Sequence, residues 1–176
     1  MKRLLPISSK RSGGDRWSIT IYAQNPCGKS WRVRLGNLDK DKIARYEAEI
    51  KEAQNVLMEI TSGDVEVCVR DPMKVKALKY TLIVLVETIC NICRHILAKK
   101  ASVVVEEYME SILKMEEKGF LSEATANRLI PLTKLRHQLI HGYWKTDDKR
   151  LIIETKDNIG TIDDFLSQVH RLLSLS

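Results

Sequence analysis

The sequence predicts an all-α protein: an antiparallel bundle of four or five helices, preceded by a basic N-terminal extension. Three observations support this fold class. From residue 39 onward, apolar residues recur at alternating steps of three and four, the spacing of one helix face. Capping residues such as Asp, Ser and Thr stand where these periodic segments begin, and a glycine follows where one of them ends. The first 38 residues lack this period and differ in charge.

Charge divides the chain into a basic N-terminal extension, residues 1–38, and a helical domain, residues 39–176. The extension holds eight lysines and arginines against one acidic residue, whereas the remaining residues hold 21 basic and 22 acidic side chains. By net charge, the helical domain is therefore not a nucleic-acid-binding surface. Long-range attraction to RNA must come from the extension or from a local patch.

The extension contains two stretches, residues 17–22 and 30–35, in which apolar and polar residues alternate as they do in strands. Residues 25–28 between them are typical of a turn. The pattern predicts a short hairpin, which in isolation is only marginally stable in water. Two other interpretations stay open: a flexible, disordered tail, or a segment foreign to the native protein if translation starts close to Leu35.

The first helix is predicted over residues 41–60, where a seam of apolar residues is typical of packing in a bundle. The seam consists of Ile43, Tyr46, Ile50, Ala53, Leu57 and Ile60. A loop is predicted over residues 61–70. Asp71 and Pro72 then supply an N-cap followed by proline at the first helical position.

The second helix, residues 73–98, is rich in Val, Ile and Leu on nearly every face, so it should be the most buried element. Cys90 and Cys93 have the spacing of a redox or zinc pair, with His95 nearby. Within such an apolar helix they are interpreted as small core residues. No apolar run is expected to span a membrane, and residues 1–8 do not have the pattern of a signal peptide, so the predicted compartment is the cytoplasm.

The third and fourth helices follow in the C-terminal half. The third is predicted over residues 103–118 and ends at Gly119. The fourth is capped by Ser122 and runs to about His141, with a kink or a split at Pro131 because proline cannot donate the helical hydrogen bond.

The last helix is predicted to be capped by Thr161. Its apolar face consists of Ile162, Phe165, Leu166, Val169, Leu172 and Leu173. Residues 144–160, between the fourth helix and this one, are predicted to be a polar connection that contains a short apolar run at residues 151–153.

The segment from Arg136 to Trp144 concentrates reactive side chains, because it holds an arginine, a tyrosine and two of the chain's four histidines. Arginine carries a permanent planar charge suited to phosphate, and histidine exchanges protons near neutral pH. If the segment is helical, Arg136, His137 and His141 fall within an arc of about 140°, so that one surface collects them. These residue types suit cleavage of a phosphodiester without a metal ion.

This segment resembles the signature of the HEPN superfamily, and more closely the motif of the HepT-like toxins. In that motif four residues separate an arginine from a histidine, and one residue separates the histidine from a tyrosine. Arg136, His141 and Tyr143 match these positions. The residue after the arginine is most often Asn or Asp in such proteins, and here it is His137. The resemblance extends from about Asp39 to the C-terminus and implies a HEPN-like bundle.

The resemblance implies a metal-independent ribonuclease toxin of a HEPN/MNT toxin–antitoxin pair, without a cofactor. It implies a homodimer in which two copies of the motif meet, with Arg136 clamping phosphate, His141 as the main acid–base group and His137 assisting or positioning the RNA substrate. It also implies a partner, a cognate MNT-type nucleotidyltransferase antitoxin, which silences the toxin by transferring AMP to Tyr143.

Three alternatives stay open for this segment. The chain could be a non-catalytic nucleotide- or substrate-binding subunit of a minimal nucleotidyltransferase. His137 and His141 could bind zinc, although Gln138 stands where a metalloprotease of the HExxH type needs glutamate. The segment could also be purely structural, with surface histidines, a packed arginine, and Tyr143 packing beside Trp144.

Glu87, Asn91 and Arg94 form a polar stripe on the otherwise apolar second helix, at four- and three-residue steps. A carboxylate in such surroundings is costly unless it is paired. One interpretation is an internal salt bridge or polar network of Glu87 with Arg94 or Lys79. The other is that the stripe faces the Arg136–His141 surface, where Glu87 and Asn91 support the site by orienting a histidine.

Overall fold

The computed structural model describes residues 19–24, 30–35, 38–142 and 146–174. In this part of the chain, two strands precede seven α-helices. The strands are β1 (Ile19–Gln24) and β2 (Ser30–Leu35). The helices are α1 (Lys40–Thr61), α2 (Val65–Val69), α3 (Pro72–Ile96), α4 (Tyr108–Glu117), α5 (Glu123–His141), α6 (Asp148–Asn158) and α7 (Thr161–Ser174). The all-α prediction is confirmed for the body of the protein, with more helices than the four or five expected.

β1 and β2 pair antiparallel, with Ile19 opposite Leu35 and Gln24 opposite Ser30. This pairing is the one that the hairpin interpretation expects, while the predicted turn over residues 25–28 lies outside the described residues. β2 lies next to the π-helical turn that continues α3 over residues 97–101. The division of the chain into an extension and an independent helical domain at residue 38 stays a prediction.

α1 begins at the N-cap Asp39, whose carboxylate accepts the N–H of Lys42 at 2.9 Å. The predicted seam lies against α3. Its buried members are Ile43, Ile50, Ala53 and Leu57, and its partly buried members are Tyr46 and Ile60. Each fully buried aliphatic side chain contributes roughly 1.5–3 kcal/mol relative to an exposed one, so this interface anchors the fold.

α3 is the central helix and contacts α1, α4 and α5. Its start is as predicted, because the Asp71 carboxylate accepts two backbone N–H groups of the first turn and Pro72 follows the cap. Cys90 and Cys93 are fully buried free thiols, which confirms their interpretation as core residues.

The segment Pro72–Ala101, which joins α3 and the π-helical turn, is long and apolar enough to cross a membrane by length and composition. The expectation that no apolar run reaches this length is therefore wrong. Inside the protein, 56% of the most apolar window is buried, which is the pattern of a helix at the centre of a bundle. The length of the segment reflects its central position among α1, α4 and α5.

Two segments predicted as connections are helical instead. α2 lies within the predicted loop over residues 61–70, and its N-cap Asp64 accepts the N–H of Glu66 at 2.7 Å. α6 lies within the predicted connection 144–160 and is capped by Asp147. Leu151, Ile152 and Thr155 of α6 are buried. Caps and tertiary packing stabilise these short helices, whose sequences carry only weak apolar periodicity.

α4 starts at Tyr108, later than the predicted residue 103. Ser102 has a positive φ of 54°, which ends the π-helical turn, and the β-branched residues 103–105 that follow disfavour a helix. The predicted end is confirmed, since Gly119 takes a left-handed φ of 70° just after α4 and its N–H donates to the carbonyl of Glu116.

α5 is a single helix that passes through Pro131, so of the predicted kink or split the split is wrong, and the kink stays a prediction. The predicted cap is confirmed, because the Ser122 hydroxyl accepts the N–H of Thr125. α7 starts at Thr161, but the buried Thr161 hydroxyl has no hydrogen-bond partner among the residues described and does not cap the helix. The apolar face predicted for α7 packs into the core.

Candidate active site

The last turns of α5 carry the Arg136–His141 part of the motif. Leu139 is buried and fixes the helix against the core, while His137 and His141 stay exposed. α5 ends at His141, and the N–H of Gly142 donates to the carbonyl of Gln138 at 2.7 Å. A Cβ at Gly142 would approach that carbonyl oxygen to 3.3 Å, so glycine suits this tight helix end.

Arg136 is held against α3 and α4. Its guanidinium carbon lies 4.0 Å from the centre of the Tyr108 ring, within the range of a cation–π contact. Its Nη2 atom lies 3.5 Å from Oε2 of Glu87. The Arg136 side chain is 16% exposed and that of Glu87 46% exposed, so the ion pair lies at the edge of the core.

Tyr108 also contacts a second arginine. The guanidinium carbon of Arg94 lies 4.4 Å from the centre of the Tyr108 ring. The Tyr108 hydroxyl donates to Oε1 of Glu87 at 3.2 Å, so one carboxylate receives both Tyr108 and Arg136. Two cations and an anion thus surround one phenol ring, which restrains the orientation of Arg136.

Of the two partners proposed for Glu87 by the internal interpretation, Lys79 is wrong, because its Nζ pairs with Asp148 at 2.6 Å. Arg94 forms no direct salt bridge with Glu87 but belongs to the same network, since the Tyr108 hydroxyl donates to Glu87 and the Tyr108 ring contacts Arg94. The polar stripe of α3 does face Arg136, but Glu87 pairs with that arginine and not with a histidine. Asn91, half-buried, lies one turn beyond Glu87 on the same stripe.

Buried polar groups collect behind this stripe. The Nε atoms of Arg94 and Arg136 are buried and have no hydrogen-bond partner within the described part of the protein. The Cys90 thiol lies 3.8 Å from the carbonyl oxygen of Tyr108. Burial raises the pKa of Cys90 to about 11, although the hydroxyl of Ser111 and the nearby arginines act in the opposite direction. This thiol is therefore protonated at neutral pH.

His137 and His141 form a pair of imidazoles one turn apart. Their ring centres are 4.5 Å apart, with the planes tilted by 48°. Both rings line a groove of about 590 Å³ between the end of α5 and the start of α6, hereafter the histidine groove. Among the described residues, the polar lining consists of His137, Gln138, His141, Thr146, Asp147, Arg150 and Glu154. Adjacent imidazoles beside an open groove are suited to take and give protons.

Arg136 is not among the described residues that line the histidine groove. The expectation that one surface collects Arg136, His137 and His141 is therefore only partly met within a single chain. Successive residues on a helix point about 100° apart, so Arg136 turns toward Tyr108 while the two histidines turn toward α6. Arg136 and the histidine pair lie on adjoining faces of α5.

Two predicted features remain, the AMP acceptor and the zinc site. Tyr143, the predicted AMP acceptor, lies outside the described residues. Within the described ranges, no three His, Cys, Asp or Glu side chains are grouped so that they could hold a metal ion. His137 and His141 alone therefore make up the candidate zinc ligands there.

Sequence reasoning missed two residues of this region. Tyr108 contacts Arg136 across the α4–α5 interface, and no local spacing relates residues so far apart in sequence. Arg150 lines the histidine groove from α6, a helix that was predicted to be a connection. The Asp147 cap, whose carboxylate accepts the N–H of Arg150 at 3.1 Å, was the available signal for that helix.

A family model and several solved structures match this chain. The family model described as "Ribonuclease HepT-like" matches residues 48–169. A tri-AMPylated Shewanella oneidensis HEPN toxin in complex with MNT antitoxin superposes with a TM-score of 0.69 at 15% identity, covering 74% of this chain and 98% of that one. A toxin–antitoxin structure with AMP-PNP gives a TM-score of 0.68 at 15% identity, covering 73% of this chain and 98% of that one.

The cytosolic protein of unknown function YutE from Bacillus subtilis has the same fold, with a TM-score of 0.68 at 16% identity. The match covers 78% of this chain and 92% of YutE. At these identities the likeness shows the fold. A search of curated protein sequences gave no significant match.

Proposed function

The chain belongs to the HepT-like family, and we propose that it is the toxin of a HEPN/MNT toxin–antitoxin pair, a metal-independent endoribonuclease that acts as a homodimer in the cytoplasm. The observation that carries this proposal is the pair of exposed imidazoles, His137 and His141, 4.5 Å apart and open to a groove. Arg136 lies on the adjoining face of the same helix.

The proposed reaction is attack of a ribose 2′-OH on the neighbouring phosphate. His141 takes the proton of the 2′-OH while the new P–O bond forms. The bond to the 5′-oxygen breaks, and that oxygen receives a proton from His137, which leaves a 2′,3′-cyclic phosphate. No metal is required, because the two histidine side chains carry out both proton transfers.

Arg136 is proposed to stabilise the negative charge that develops on the phosphate oxygens. Its distance of 3.5 Å to Glu87 is too long for a strong hydrogen bond, so a phosphate can compete for the same Nη group. Glu87 and Tyr108 then act as positioning residues, since they hold the guanidinium at the edge of α5 and do not contact the reacting atoms. Asn91 supports the same surface.

A homodimer is proposed because apolar side chains stay open beside the motif. Ile140, one turn after Arg136, is 43% exposed, and on α4, the helix that packs against α5, Leu113 is 42% exposed. A symmetric interface on this face would bury both residues and bring two motif copies together. It would also add a second Arg136 near each histidine groove.

Regulation is proposed to occur through AMP transfer to Tyr143 by a cognate MNT-type nucleotidyltransferase. In the sequence, Tyr143 follows His141, which lines the histidine groove, by two residues. An attached AMP would bring a phosphate next to His141 and Arg136 and would compete with RNA for them.

A second candidate function is favoured by the environment of Arg136. An arginine that is largely buried, stacked on Tyr108 and paired with Glu87 can be a structural residue. The chain would then be a non-catalytic nucleotide- or substrate-binding subunit of a minimal nucleotidyltransferase. The histidine groove would serve as its ligand site.

The decisive experiment is RNA cleavage by purified protein in the presence of EDTA. The ribonuclease proposal predicts cleavage that leaves a 2′,3′-cyclic phosphate, and sedimentation as a dimer at micromolar concentration. His170→Ala is a matched control, because His170 is a histidine on α7 that pairs with Glu47 and does not line the histidine groove. No cleavage by the wild type would leave the binding-subunit function as the better account.

A further inference from the structure

The histidine groove has one permanent cation among its described lining residues, and that cation is Arg150. Arg150 is not part of the Arg136–Tyr143 motif. It projects from α6, on the side of the groove opposite α5. Arg136 faces Tyr108 and Glu87 instead, so the guanidinium that shares the groove with His137 and His141 is the one from α6.

The position of Arg150 is defined by two contacts within its own helix. Its backbone N–H donates to the N-cap carboxylate of Asp147 at 3.1 Å. Its Nε donates to Oε1 of Glu154 at 2.6 Å, one turn further along α6. These contacts use one of the five N–H donors of the guanidinium, and the Nη groups are left for a ligand. The Arg150 side chain is 75% exposed, so a ligand reaches it without unfolding the helix.

The two carboxylates of the groove do not prevent anion binding at this point. Asp147 accepts a backbone N–H at the start of α6, and Glu154 accepts Nε of Arg150. The negative charges of both carboxylates are therefore already balanced, that of Asp147 by the helix N-terminus and that of Glu154 by the guanidinium. With a phosphate at its Nη groups, the Arg150 guanidinium would bind two anions, Glu154 on one edge and the phosphate on another.

We propose that Arg150 is a second phosphate-binding residue, which holds a backbone phosphate of a single-stranded RNA on the α6 side of the histidine groove. This rests on the proposed function, and it adds a substrate-binding residue outside the motif. The strand would lie across the groove, with one phosphate at the histidine pair and a neighbouring one at Arg150. Glu154 would act as a positioning residue for the guanidinium.

The test separates binding from cleavage by using a 2′-O-methyl oligoribonucleotide, which lacks the attacking 2′-OH. Fluorescence anisotropy would give Kd at several salt concentrations for the full chain and for Arg150→Gln. Loss of the phosphate contact should weaken binding by roughly ten- to a hundredfold, as expected for a hydrogen bond to a charged group. The slope of log K against log salt should become shallower by about 0.7, the value for one phosphate contact on a single strand.

Arg45→Gln is the matched control, since it removes the same charge from an exposed arginine of α1. Arg45 lines a cleft on α1 that shares no residue with the histidine groove. It should leave the salt slope unchanged. Arg150→Lys should retain most of the slope, because the positive charge remains. Thermal unfolding of each variant would show that the fold is intact.

The outcomes distinguish this inference from the proposed ribonuclease activity. If the wild type fails to cut RNA but Arg150→Gln still weakens oligonucleotide binding, the ribonuclease proposal fails and the phosphate site stands. If Arg150→Gln binds as the wild type does, with the same salt slope, the phosphate site is wrong even when RNA is cleaved. Absence of oligonucleotide binding by the wild type would also overturn it.

Discussion

The guanidinium carbon of Arg136 lies 4.0 Å from the centre of the Tyr108 ring, and the Tyr108 hydroxyl donates to the same carboxylate, Glu87, that pairs with Arg136. Three helices therefore meet in one small polar cluster at the edge of the core. The cluster fixes the direction of the Arg136 side chain, so that His137 and His141 are the motif residues that line the groove.

Tyr108→Phe should keep the ring beneath both arginines but remove the hydrogen bond to Glu87. We expect a loss of about 1 kcal/mol in the free energy of unfolding, the usual contribution of such a bond. Tyr108→Leu should cost more, because it also removes two cation–π contacts of roughly 0.5–2 kcal/mol each. Urea denaturation monitored by circular dichroism measures both values. Equal stabilities of the Phe and Leu variants would contradict a role for the ring.

His141→Ala should lower the rate of RNA cleavage by roughly 10²–10⁴-fold, the loss typical of one proton-transfer group. The helical circular dichroism and thermal midpoint should hardly change, because His141 is exposed. His137→Ala should lower the rate by a similar factor, because His137 is the proposed proton donor to the leaving 5′-oxygen. Single-turnover cleavage assays of both variants make the comparison, and a fully active His141→Ala protein would rule out the assigned role.

Incubation with the cognate nucleotidyltransferase and ATP should raise the mass of the protein by whole AMP units. Tyr143→Phe should abolish this shift, since the phenol oxygen is the proposed acceptor. The exposed Tyr80 provides a matched control, and Tyr80→Phe should be modified like the wild type. Intact-mass spectrometry would show whether AMP is added, and peptide mapping would show which residue carries it. An adduct on Tyr46, Tyr80 or Tyr108 would show that the assignment is wrong.

The free energy of unfolding should fall between about pH 9 and pH 11 through the buried thiol of Cys90. Its pKa is raised from 9.0 to about 11 in the folded protein, mainly by burial. Below pH 9 the thiol is protonated in both states, so its contribution is complete. As the pH rises through this window, only the unfolded chain ionises, and roughly 2–3 kcal/mol is lost progressively.

The control for this alkaline effect is Cys90→Ala, because other groups also titrate above pH 9. The variant should be less stable at pH 7 because it leaves a cavity. Its stability should nevertheless depend less steeply on pH between 9 and 11. Urea titrations at several pH values give both quantities. Identical pH slopes for the two proteins would show that Cys90 does not account for the effect.

Deletion of residues 1–36 should leave the thermal midpoint and the helical circular dichroism nearly unchanged. Among the residues whose burial the structure describes, Leu38 is the first buried one, and the shortened protein retains it. Binding of RNA should weaken and become less dependent on salt, since the extension carries most of the excess positive charge. A large fall in the midpoint would show that the hairpin, which lies beside the π-helical turn, is part of the packed structure.

Local signals in the sequence predicted much of the helical framework. The seam of α1, the Asp71-Pro72 start of α3 and the Ser122 cap of α5 depend on residues a few positions apart, and all three are confirmed. α2 and α6 were missed because short helices depend on packing against distant elements more than on their own periodicity.

The site was less predictable than the framework. The motif identified Arg136, His137 and His141, but the direction in which Arg136 faces is set by Tyr108 and Glu87 on other helices. A single sequence carries no record of which helices become neighbours. The roles of these residues in chemistry stay predictions that the variants above would test.

The ion pair between Lys79 and Asp148 has a consequence for how a ligand would bind. Lys79 is almost fully buried in α3, with its side chain 6% exposed, and its Nζ lies 2.6 Å from Asp148 in the first turn of α6. The wall of the histidine groove that carries Arg150 is thereby anchored to the centre of the bundle. A preorganised wall of this kind lowers the entropic cost of association, so we expect ligands to bind with little rearrangement of the backbone.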